Sequence, residues 1–472
     1  EGTPSVSEWL ASDLSTYDKA VVGLDGNVNS FAEVAAMEQE LATKGNITVR
    51  TDADPMAELW TDRPVIPDNM VSLHPLEYSG ESTSSKISRV RKHLLDCGAD
   101  GLLVTALDEI AWVLNLRGSD VHCNPVFVSY LLISPENITL YINNVKLPDD
   151  VKAYLMSEHI DVQAYESVVE GLRLYAGKSL LVDMSSTNYS LATAVPFEKV
   201  CSGVSPIASM KAVKNKVEQD GFRAAMLRDG VAVVKFLAWL KSAVEAGGQT
   251  EISLDENLTA LRAEQSKVKG ISFDTIVGYE AHGAIVHYEA TPETDIPVQP
   301  HGLVLIDSGA QYLDGTTDIT RTIALGELSE EQRRVYTLVL KGHIQLDRCR
   351  FPAGACGSQI DALARAPMWR EGYNYMHGTG HGVGSYLNVH EGPHQIRMEW
   401  RPAPLQAGMT VTNEPGIYLE GKFGVRIENT LLIVPAESTA FGDFLKFETL
   451  TLAPIDTAPI VLEMLSTEER EW

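Results

Sequence analysis

The sequence predicts a chain of three domains that is α/β in its first half and α+β in its second. Two observations support this prediction. Up to about residue 212, short apolar runs alternate with helical segments, and a long helical segment then gives way to strands separated by glycine turns. At 472 residues the chain is long enough for two or three domains, each with its own core. The predicted domains span residues 1–75, 76–212 and 213–472.

The first predicted domain, residues 1–75, contains a strand–helix–strand unit. The apolar run AVVGLD at 20–25 predicts a buried strand, and NITVRT at 46–51 predicts a second strand. Between them lies SFAEVAAMEQELATKG at 30–45, which predicts a helix because it starts with a serine N-cap and ends in glycine. The proline-containing segment WTDRPVIPDNM at 60–70 predicts a linker.

The second and third predicted domains differ in their patterns. The second opens with a predicted helix near 85–97, and four apolar runs then predict strands, namely GLLVTA (101–106), FVSYLLIS (127–134), ITLYINN (138–144) and SLLVDM (179–184). The third opens with a predicted helix over 214–246. From residue 270 onward it is dominated by strands and glycine turns.

A weak internal repeat lies in the third predicted domain. DSGAQYLDG begins at Asp307 and EPGIYLEG begins at Glu414, and both place an acid, a glycine, a tyrosine, a second acid and a glycine in one order. Asp318 follows the first copy and Glu428 follows the second. The glycine turns predict β-hairpins, which would return each later acid beside the earlier one. The alternative is a set of turn acids that never meet.

Four buried carboxylates in one pocket would require positive charge. Each ionised pair about 4 Å apart costs roughly 4 kcal/mol at an effective dielectric of about 20. Two divalent cations would offset four carboxylates. The glycine-rich stretch HGTGHGVGSYLNVHEGPH at 377–394 is ambiguous by itself, since its histidines could be solvated loop residues, but it can supply one imidazole, for which we choose His381. Oxygen ligands with one imidazole favour a hard or borderline ion such as Mn(II).

Charge and composition exclude several classes of protein. A net charge of −26 argues against binding to nucleic acid, which needs a basic surface. No apolar run approaches the length of a membrane span, so no membrane association is expected. Five cysteines, an odd number without regular spacing, favour a reducing compartment, and we expect a cytoplasmic protein.

Six segments of the chain carry a resemblance to a known family. They are WTDRP (60–64), ALDEIAWVLNLRGSDVHCNPVFVSYLLI (106–133), GAIVHY (283–288), LIDSGAQYLDGTTDITRT (305–322), HGTGHGVGSYLNVHEGP (377–393) and FGVRIEN (423–429). Together they resemble the pita-bread metallopeptidases, and specifically the cytosolic-type Xaa-Pro aminopeptidases (the aminopeptidase P family, in metallopeptidase family M24). The resemblance covers nearly the whole chain. It implies two creatinase-N-like α/β domains followed by a pita-bread catalytic domain. Members of this family have a longer first domain, so we expect the first domain here to be incomplete.

The resemblance also implies a set of metal ligands. They match Asp307, Asp318, His381, Glu414 and Glu428. In the family, the residues matching Asp318 and Glu428 bridge two Mn(II) ions. The residue matching Asp307 holds one ion, and those matching His381 and Glu414 hold the other. The ions activate a bridging water that attacks the scissile carbonyl, and Glu414 is expected to accept its proton.

Further residues match family positions that handle the substrate. His287 and His390 are expected to stabilise the oxyanion and to carry protons to the departing nitrogen, and so to be both catalytic and substrate-binding. His377, Tyr418 and Arg426 are expected to line the pocket for the proline ring. The expected substrates are peptides with proline at position two, and the family implies a homodimer. His394 matches no functional position and is expected to be an ordinary residue.

Other functions remain as alternatives. A prolidase shares the metal site but cleaves Xaa-Pro dipeptides, and the long segment at 106–133 favours the aminopeptidase. A non-catalytic binding module of this fold would have lost metal ligands, whereas all five are present. A serine hydrolase is disfavoured because the chain has no G-x-S-x-G motif, and a dinucleotide-binding enzyme because no glycine fingerprint follows a strand.

Overall fold

A computed structural model describes residues 3–472, which form two compact units. The first unit contains the residues up to Leu73 together with Ser82–Asp120 and Val126–Ile207. The second contains His74–Glu81, Val121–Pro125 and Ala208–Trp472. The separation of the first half of the chain into two domains near residue 75 stays a prediction.

The strand–helix–strand unit predicted near the N-terminus is present. Val21–Gly23 pairs in parallel with Thr48–Arg50, and the helix Phe31–Gly45 lies between them in the chain. Ser30 caps this helix, since its hydroxyl accepts from the backbone N–H of Glu33. The expectation of a buried first strand is wrong, because Val21 is 61% exposed. A sheet of two strands is covered on one face only, so alternate residues face solvent.

A six-stranded mixed sheet forms the centre of the first unit. Its strands, in sheet order, are Val200–Ser202, Leu180–Val182, Gly101–Val104, Tyr130–Ile133, Ile138–Tyr141 and Asp161–Gln163. The four inner strands were all predicted; the two edge strands were not, because they are short and only partly buried. The principal helices of the unit besides Phe31–Gly45 are Val6–Asp13, Thr83–Asp96, Leu107–Leu114, Asp149–Ser157, Val168–Arg173 and Tyr189–Ala194.

Long helices and antiparallel strands build the second unit. The α-helices of five or more residues that lie entirely within it are Lys216–Ala246, Glu251–Ala263, Glu330–Asp347, Asp361–Trp369 and Thr467–Glu471. In the first of these, Phe236, Leu240 and Val244 recur every four residues and pack into one core. Within residues 3–472, none of the helices combines the length and the apolar character needed to cross a membrane.

The strands of the second unit form several small sheets. A three-stranded sheet orders Ile276–Tyr279, Leu303–Ser308 and Ile319–Ala324, and a second orders Val268–Ile271, Ala310–Tyr312 and Gly315–Thr316. A four-stranded sheet orders Arg350–Pro352, Gly442–Thr449, Asn429–Thr439 and Thr410–Asn413. Two-stranded sheets pair Gly380–Gly382 with Glu391–Ile396, and Gly416–Leu419 with Phe423–Arg426.

The internal repeat of the sequence is a repeat of structure. Leu303–Ser308 runs antiparallel to Ile319–Ala324, with Asp307 opposite Thr320. Likewise Thr410–Asn413 runs antiparallel to Asn429–Thr439, with Asn413 opposite Asn429. In each copy a smaller hairpin lies between the two strands. The predicted return of each later acid toward the earlier one is therefore confirmed.

Candidate metal centre and substrate cavity

One cavity of about 570 Å³ in the second unit is lined by all five predicted metal ligands. Each ligand lies in or next to a strand: Asp307 within Leu303–Ser308, Asp318 just before Ile319–Ala324, His381 within Gly380–Gly382, Glu414 just after Thr410–Asn413, and Glu428 just before Asn429–Thr439. The paired strands bring acids from distant parts of the chain together, and the glycine-rich strand adds the imidazole.

The imidazole of His381 faces the acids. Its Nε2 atom lies 3.4 Å from Asp318 Oδ2 and 3.4 Å from Glu414 Oε1. Ligand atoms of Asp318, His381 and Glu428 all lie within 4.8 Å of one another. The other ring nitrogen, Nδ1, lies 2.9 Å from the carbonyl oxygen of Gly382, to which it donates. This bond occupies Nδ1 and leaves Nε2 as the ring nitrogen that faces the carboxylates, as in histidines that bind metals.

Three side chains hold the carboxylates in position. Thr320 Oγ1 donates to Glu428 Oε2 at 2.8 Å, and Thr412 Oγ1 donates to Glu414 Oε1 at 3.1 Å. Arg426 Nη2 donates to Asp307 Oδ2 at 2.7 Å. Sequence reasoning missed both threonines. The available signal was their spacing: each stands two positions from a predicted ligand, and alternate residues of a strand share a face.

Burial perturbs the acids strongly. It raises the pKa of Asp307 and of Glu428, and it raises the pKa of Glu414 to about 7. Neighbouring carboxylates add to each increase, while Arg426 opposes it for Asp307. Burial alone would lower the pKa of His381, but Asp318 and Glu414 reverse this and raise it to about 9. The cavity therefore has a deficit of positive charge.

The donor set fits divalent cations. Asp307 Oδ1 is buried and has no hydrogen-bond partner in the part of the chain that the structure describes, although buried carboxylate oxygens are normally paired. A cation bound by this oxygen would satisfy it. Four carboxylates and one imidazole form a ligand set that suits a hard or borderline ion rather than a thiolate-bound one.

The predicted pocket residues His377, Tyr418 and Arg426 form a hydrogen-bonded chain. Arg426 Nη1 donates to the phenol oxygen of Tyr418 at 2.7 Å, and that phenol lies 2.8 Å from His377 Nε2. The Nδ1 atom of His377 donates to the carbonyl of Gly378 at 2.7 Å, so Nε2 accepts the phenol proton. Burial lowers the pKa of His377 to about 4, which keeps the ring neutral.

The two predicted catalytic histidines also line the cavity. The ring of His390 lies 4.3 Å from that of His381, centre to centre and nearly perpendicular to it. His287 lies on the loop that follows Ile276–Tyr279 and its short 3₁₀ turn. Both side chains belong to exposed residues on the cavity wall, where a ligand could reach them.

His394, the last histidine of the glycine-rich stretch, is more constrained than expected. It is fully buried, and its Nε2 atom donates to the carbonyl of Thr410 at 2.8 Å. Nearby, buried Glu391 accepts from both Lys211 and Lys214. His394 and Glu391 thus fasten the strand Glu391–Ile396, which pairs with the strand that carries His381. The expectation that His394 has no functional role stays a prediction.

Several wall residues of the cavity were not foreseen as site residues. They are Phe273, Asp274, Ile276, Val286, Tyr288, Glu289, Gln395 and Arg397. Ile276 pairs directly with Asp307 across adjacent strands, which explains its place in the wall. Gln395 pairs with His381 in the same way. Strand register was therefore the only signal that could have identified these two.

Family models match nearly all of the second half of the chain and much of the first. Metallopeptidase family M24 matches residues 220–435, and the C-terminal region of peptidase M24 matches residues 443–472. The creatinase/prolidase N-terminal domain matches residues 62–218. These matches agree with the expected creatinase-like and pita-bread domains.

Several relatives are similar to this chain in sequence or structure, and two of the three described here cover nearly all of it. Aminopeptidase P1 of Arabidopsis thaliana is 38% identical over 522 residues, which cover 99% of this chain and 81% of the relative. A similar crystal structure is that of X-prolyl aminopeptidase from Caenorhabditis elegans, a cytosolic enzyme with a di-nuclear active site. The structural match covers 100% of this chain and 78% of the Caenorhabditis elegans chain, with 34% identity and a TM-score of 0.93. The match to the structure of the Xaa-Pro dipeptidase from Bacillus anthracis covers 80% of this chain and 100% of the dipeptidase chain, with 25% identity and a TM-score of 0.65. The chain therefore belongs to metallopeptidase family M24 and, within it, to the Xaa-Pro aminopeptidases.

Proposed function

We propose that this chain is a metal-dependent aminopeptidase that hydrolyses the bond between an N-terminal residue and a following proline. The observation that carries the proposal is the meeting of Asp307, Asp318, His381, Glu414 and Glu428 in one cavity. The similarity to the X-prolyl aminopeptidase of Caenorhabditis elegans spans the full chain, whereas the similarity to a dipeptidase is partial. This difference favours the aminopeptidase over a prolidase.

Two divalent cations per chain would complete the centre. Asp307 would hold one ion, His381 and Glu414 would hold the other, and Asp318 and Glu428 would bind both. When bound, such ions lower the pKa of a water and polarise the scissile carbonyl. We propose Mn(II), because the donor set is rich in oxygen and has one imidazole. The relative from Caenorhabditis elegans is a di-nuclear enzyme, which supports the number of ions.

Glu414 is the proposed acceptor of the proton of the attacking water. Thr412 and His381 both approach its Oε1 atom, so Oε2 is the oxygen that can take a proton. A base held beside the reacting atoms contributes by its position as well as by its basicity. Glu414 would therefore serve both as a ligand and as a base.

His287 and His390 are the proposed donors to the substrate. Their side chains line the cavity close to the metal ligands, with the ring of His390 beside that of His381. Donors aimed at an oxygen that gains charge stabilise the transition state more than the bound substrate. The same histidines can deliver a proton to the departing nitrogen, which needs one because an amide anion is a poor leaving group.

The proposed wall for the proline ring consists of His377 and Arg426, which line the cavity, and of Tyr418, which is hydrogen-bonded to both. Their hydrogen-bonded chain fixes the two rings in place, and Arg426 also ties the chain to Asp307. Because proline has a fixed φ and a rigid ring, a rigid complementary wall can select it with little loss of entropy.

Three wider properties belong to the same proposal. The relative from Caenorhabditis elegans is a cytosolic enzyme, and the five cysteines of this chain are all unpaired, so we place this protein in the cytoplasm. The resemblance to the family suggests a homodimer. Peptides with proline at position two are the proposed substrates, and neither nucleic acid nor membrane is a proposed partner.

The test is a comparison of two substrates with protein freed of metal and reloaded with Mn(II). We expect release of arginine from an Arg-Pro-Pro peptide, and loss of that activity in a Glu428→Ala variant. Cleavage of a Gly-Pro dipeptide alone would assign the chain as a prolidase. Cleavage of neither substrate by protein of verified metal content would assign it as a non-catalytic module.

A further inference from the structure

A second group of potential metal ligands lies in the same unit as the cavity. His122 and Cys123 belong to the segment Val121–Pro125, and Asp274 follows the strand Val268–Ile271. One ligand atom from each of the three side chains lies within 4.8 Å of the other two. The group shares no residue with the five predicted ligands of the metal centre, but Asp274 lines the substrate cavity.

The three ligand atoms, all within 4.8 Å of one another, lie near the separations that a small cation requires. His122 Nε2 lies 2.8 Å from Asp274 Oδ1. Tetrahedral zinc, with bonds of about 2.0–2.3 Å, places its ligand atoms about 3.3–3.8 Å apart. A widening of less than about 1 Å would therefore admit the ion. His122 is 73% exposed and Asp274 is 47% exposed at the side chain, so neither is packed tightly enough to resist that change.

The backbone around the thiol is fixed, although the side chains are accessible. Cys123 adopts a positive φ of 59° within a tight turn, in which the backbone N–H of Asn124 donates to the carbonyl of Val121 at 3.2 Å. Buried Gln311 donates from Nε2 to the carbonyl of Cys123 at 3.1 Å and to that of Leu387 at 2.8 Å. The thiol thus has a defined place beside the His–Asp pair, which a freely moving loop would not provide.

We propose that His122, Cys123 and Asp274 bind a borderline divalent cation such as Zn²⁺ at the rim of the substrate cavity. A thiolate, an imidazole and a carboxylate are all zinc ligands, and three protein ligands leave a fourth position for water or a substrate group. The five predicted ligands of the metal centre include no thiolate, so the two sites should prefer different metal ions. The rim site selects zinc-like ions, while the centre accepts harder ones such as Mn(II).

Binding at the rim exchanges a proton for the ion. Burial, with a smaller effect from Asp274, raises the pKa of the Cys123 thiol to about 11, so the free site carries an S–H group. The S–H bond breaks, the proton passes to solvent, and the sulfur lone pair forms the bond to the metal without any change of oxidation state. Because the cation remains beside Asp274, it adds positive charge to the cavity wall.

The direct test follows the thiolate spectroscopically. Protein with its centre filled by Mn(II) is titrated with Co²⁺, a zinc substitute whose bond to a thiolate gives a charge-transfer absorption in the near ultraviolet. We expect this absorption in the wild type, its loss in Cys123→Ser, its weakening in His122→Ala, and its displacement by added Zn²⁺. Unchanged melting temperatures of the variants would show that they fold.

Cys97 supplies a matched control. Its sulfur lies 3.4 Å from His93 Nε2 on the surface of a helix of the first unit, which makes it another cysteine–histidine pair. The absorption should persist in Cys97→Ser. Its absence from the wild type, its persistence in Cys123→Ser, or its loss in Cys97→Ser would each overturn the proposal. None of these readings requires catalysis, so they stand apart from the proposed peptidase function.

Sensitivity to zinc is a further consequence, and it rests on the proposed function. Micromolar Zn²⁺ should inhibit the Mn(II)-loaded wild type by raising KM for the Arg-Pro-Pro peptide. Cys123→Ser should retain basal activity. Its inhibition should require a Zn²⁺ concentration at least about tenfold higher than that for the wild type, since even residues that only support a metal ligand change metal affinity by about tenfold or more. Equal sensitivity of both proteins, with the cobalt absorption intact, would exclude the rim cation as an inhibitor while leaving the site itself established.

Discussion

Removal of metal should make the stability of the folded chain fall as pH rises. The pKa of the Glu414 carboxyl is about 7 in the folded chain, against an ordinary value of 4.5. A group whose pKa is raised by folding binds more protons in the folded state than in the unfolded state. Its favourable contribution to the free energy of unfolding is therefore complete below about pH 4.5 and is lost as pH rises through about 7. His381, with a pKa raised from 6.5 to about 9, acts in the same direction at higher pH.

The expected size of the effect follows from the shift at Glu414. Each unit of pKa corresponds to about 1.4 kcal/mol, so the metal-free protein should lose about 3 kcal/mol between pH 4.5 and 7 through this carboxyl. For a domain of this size, such a loss lowers Tm by about 6–12 °C. Reloading with Mn(II) should reverse the slope, because cations bind the ionised carboxylates and so favour higher pH.

The assay is thermal unfolding at about pH 4 and about pH 8, a range that brackets the two Glu414 pKa values. It uses wild type and Glu414→Gln, each without metal. The amide does not titrate, so the variant lacks the pH dependence that Glu414 contributes, including its effect on the pKa of His381. The wild type should lose more stability than the variant over this range. If the two proteins showed the same change in Tm after verified metal removal, the buried, titrating carboxyl that we infer would not exist.

Other predictions concern individual residues. Measured by atomic absorption, the reloaded wild type should contain close to two divalent ions per chain, and Glu428→Ala should contain clearly fewer. A variant with the metal content and the activity of the wild type would contradict the proposed ligand set. His390→Ala should keep its metal and lose about 10²–10⁴ in kcat, the range for a general acid–base group or an oxyanion donor, whereas loss of metal would make it a ligand instead. His377→Ala should raise KM more than it lowers kcat, and a pure kcat effect would remove it from the proline pocket. His394→Ala should lower the unfolding free energy by about 2–4 kcal/mol through lost packing and an unpaired Thr410 carbonyl, and unaltered melting would refute this.

The sequence predicted the inner elements of the fold better than its edges. The helix Phe31–Gly45 was predictable because Ser30 and Glu33 give a local capping signal. The exposure of Val21 was not predictable, because it depends on the number of strands in its sheet and on what packs against them. Edge strands such as Asp161–Gln163 are short and partly exposed, so they lack the apolar run that identifies an inner strand.

The candidate site shows the same limit at the level of side chains. Asp307 and Glu414 were identifiable because an acid at the end of an apolar strand needs a partner. Thr320 was harder to identify. Its spacing from Asp318 was the only signal, threonine is common in strands, and its bond to Glu428 joins two distant segments. The burial of His394 likewise depends on the register of a strand in a glycine-rich stretch, where local sequence gives little information.

The bond between Thr320 and Glu428 also has a consequence for biosynthesis. It joins residues 108 positions apart, and the remaining ligands divide between the same two halves. During translation, a chain that has emerged only as far as Asp318 carries two of the acids without the imidazole or the opposing pair. Contacts of such high contact order form late. Tight capture of the cations should therefore begin only when the last hairpin has been synthesised, so that metal loading marks the completion of a nascent catalytic unit.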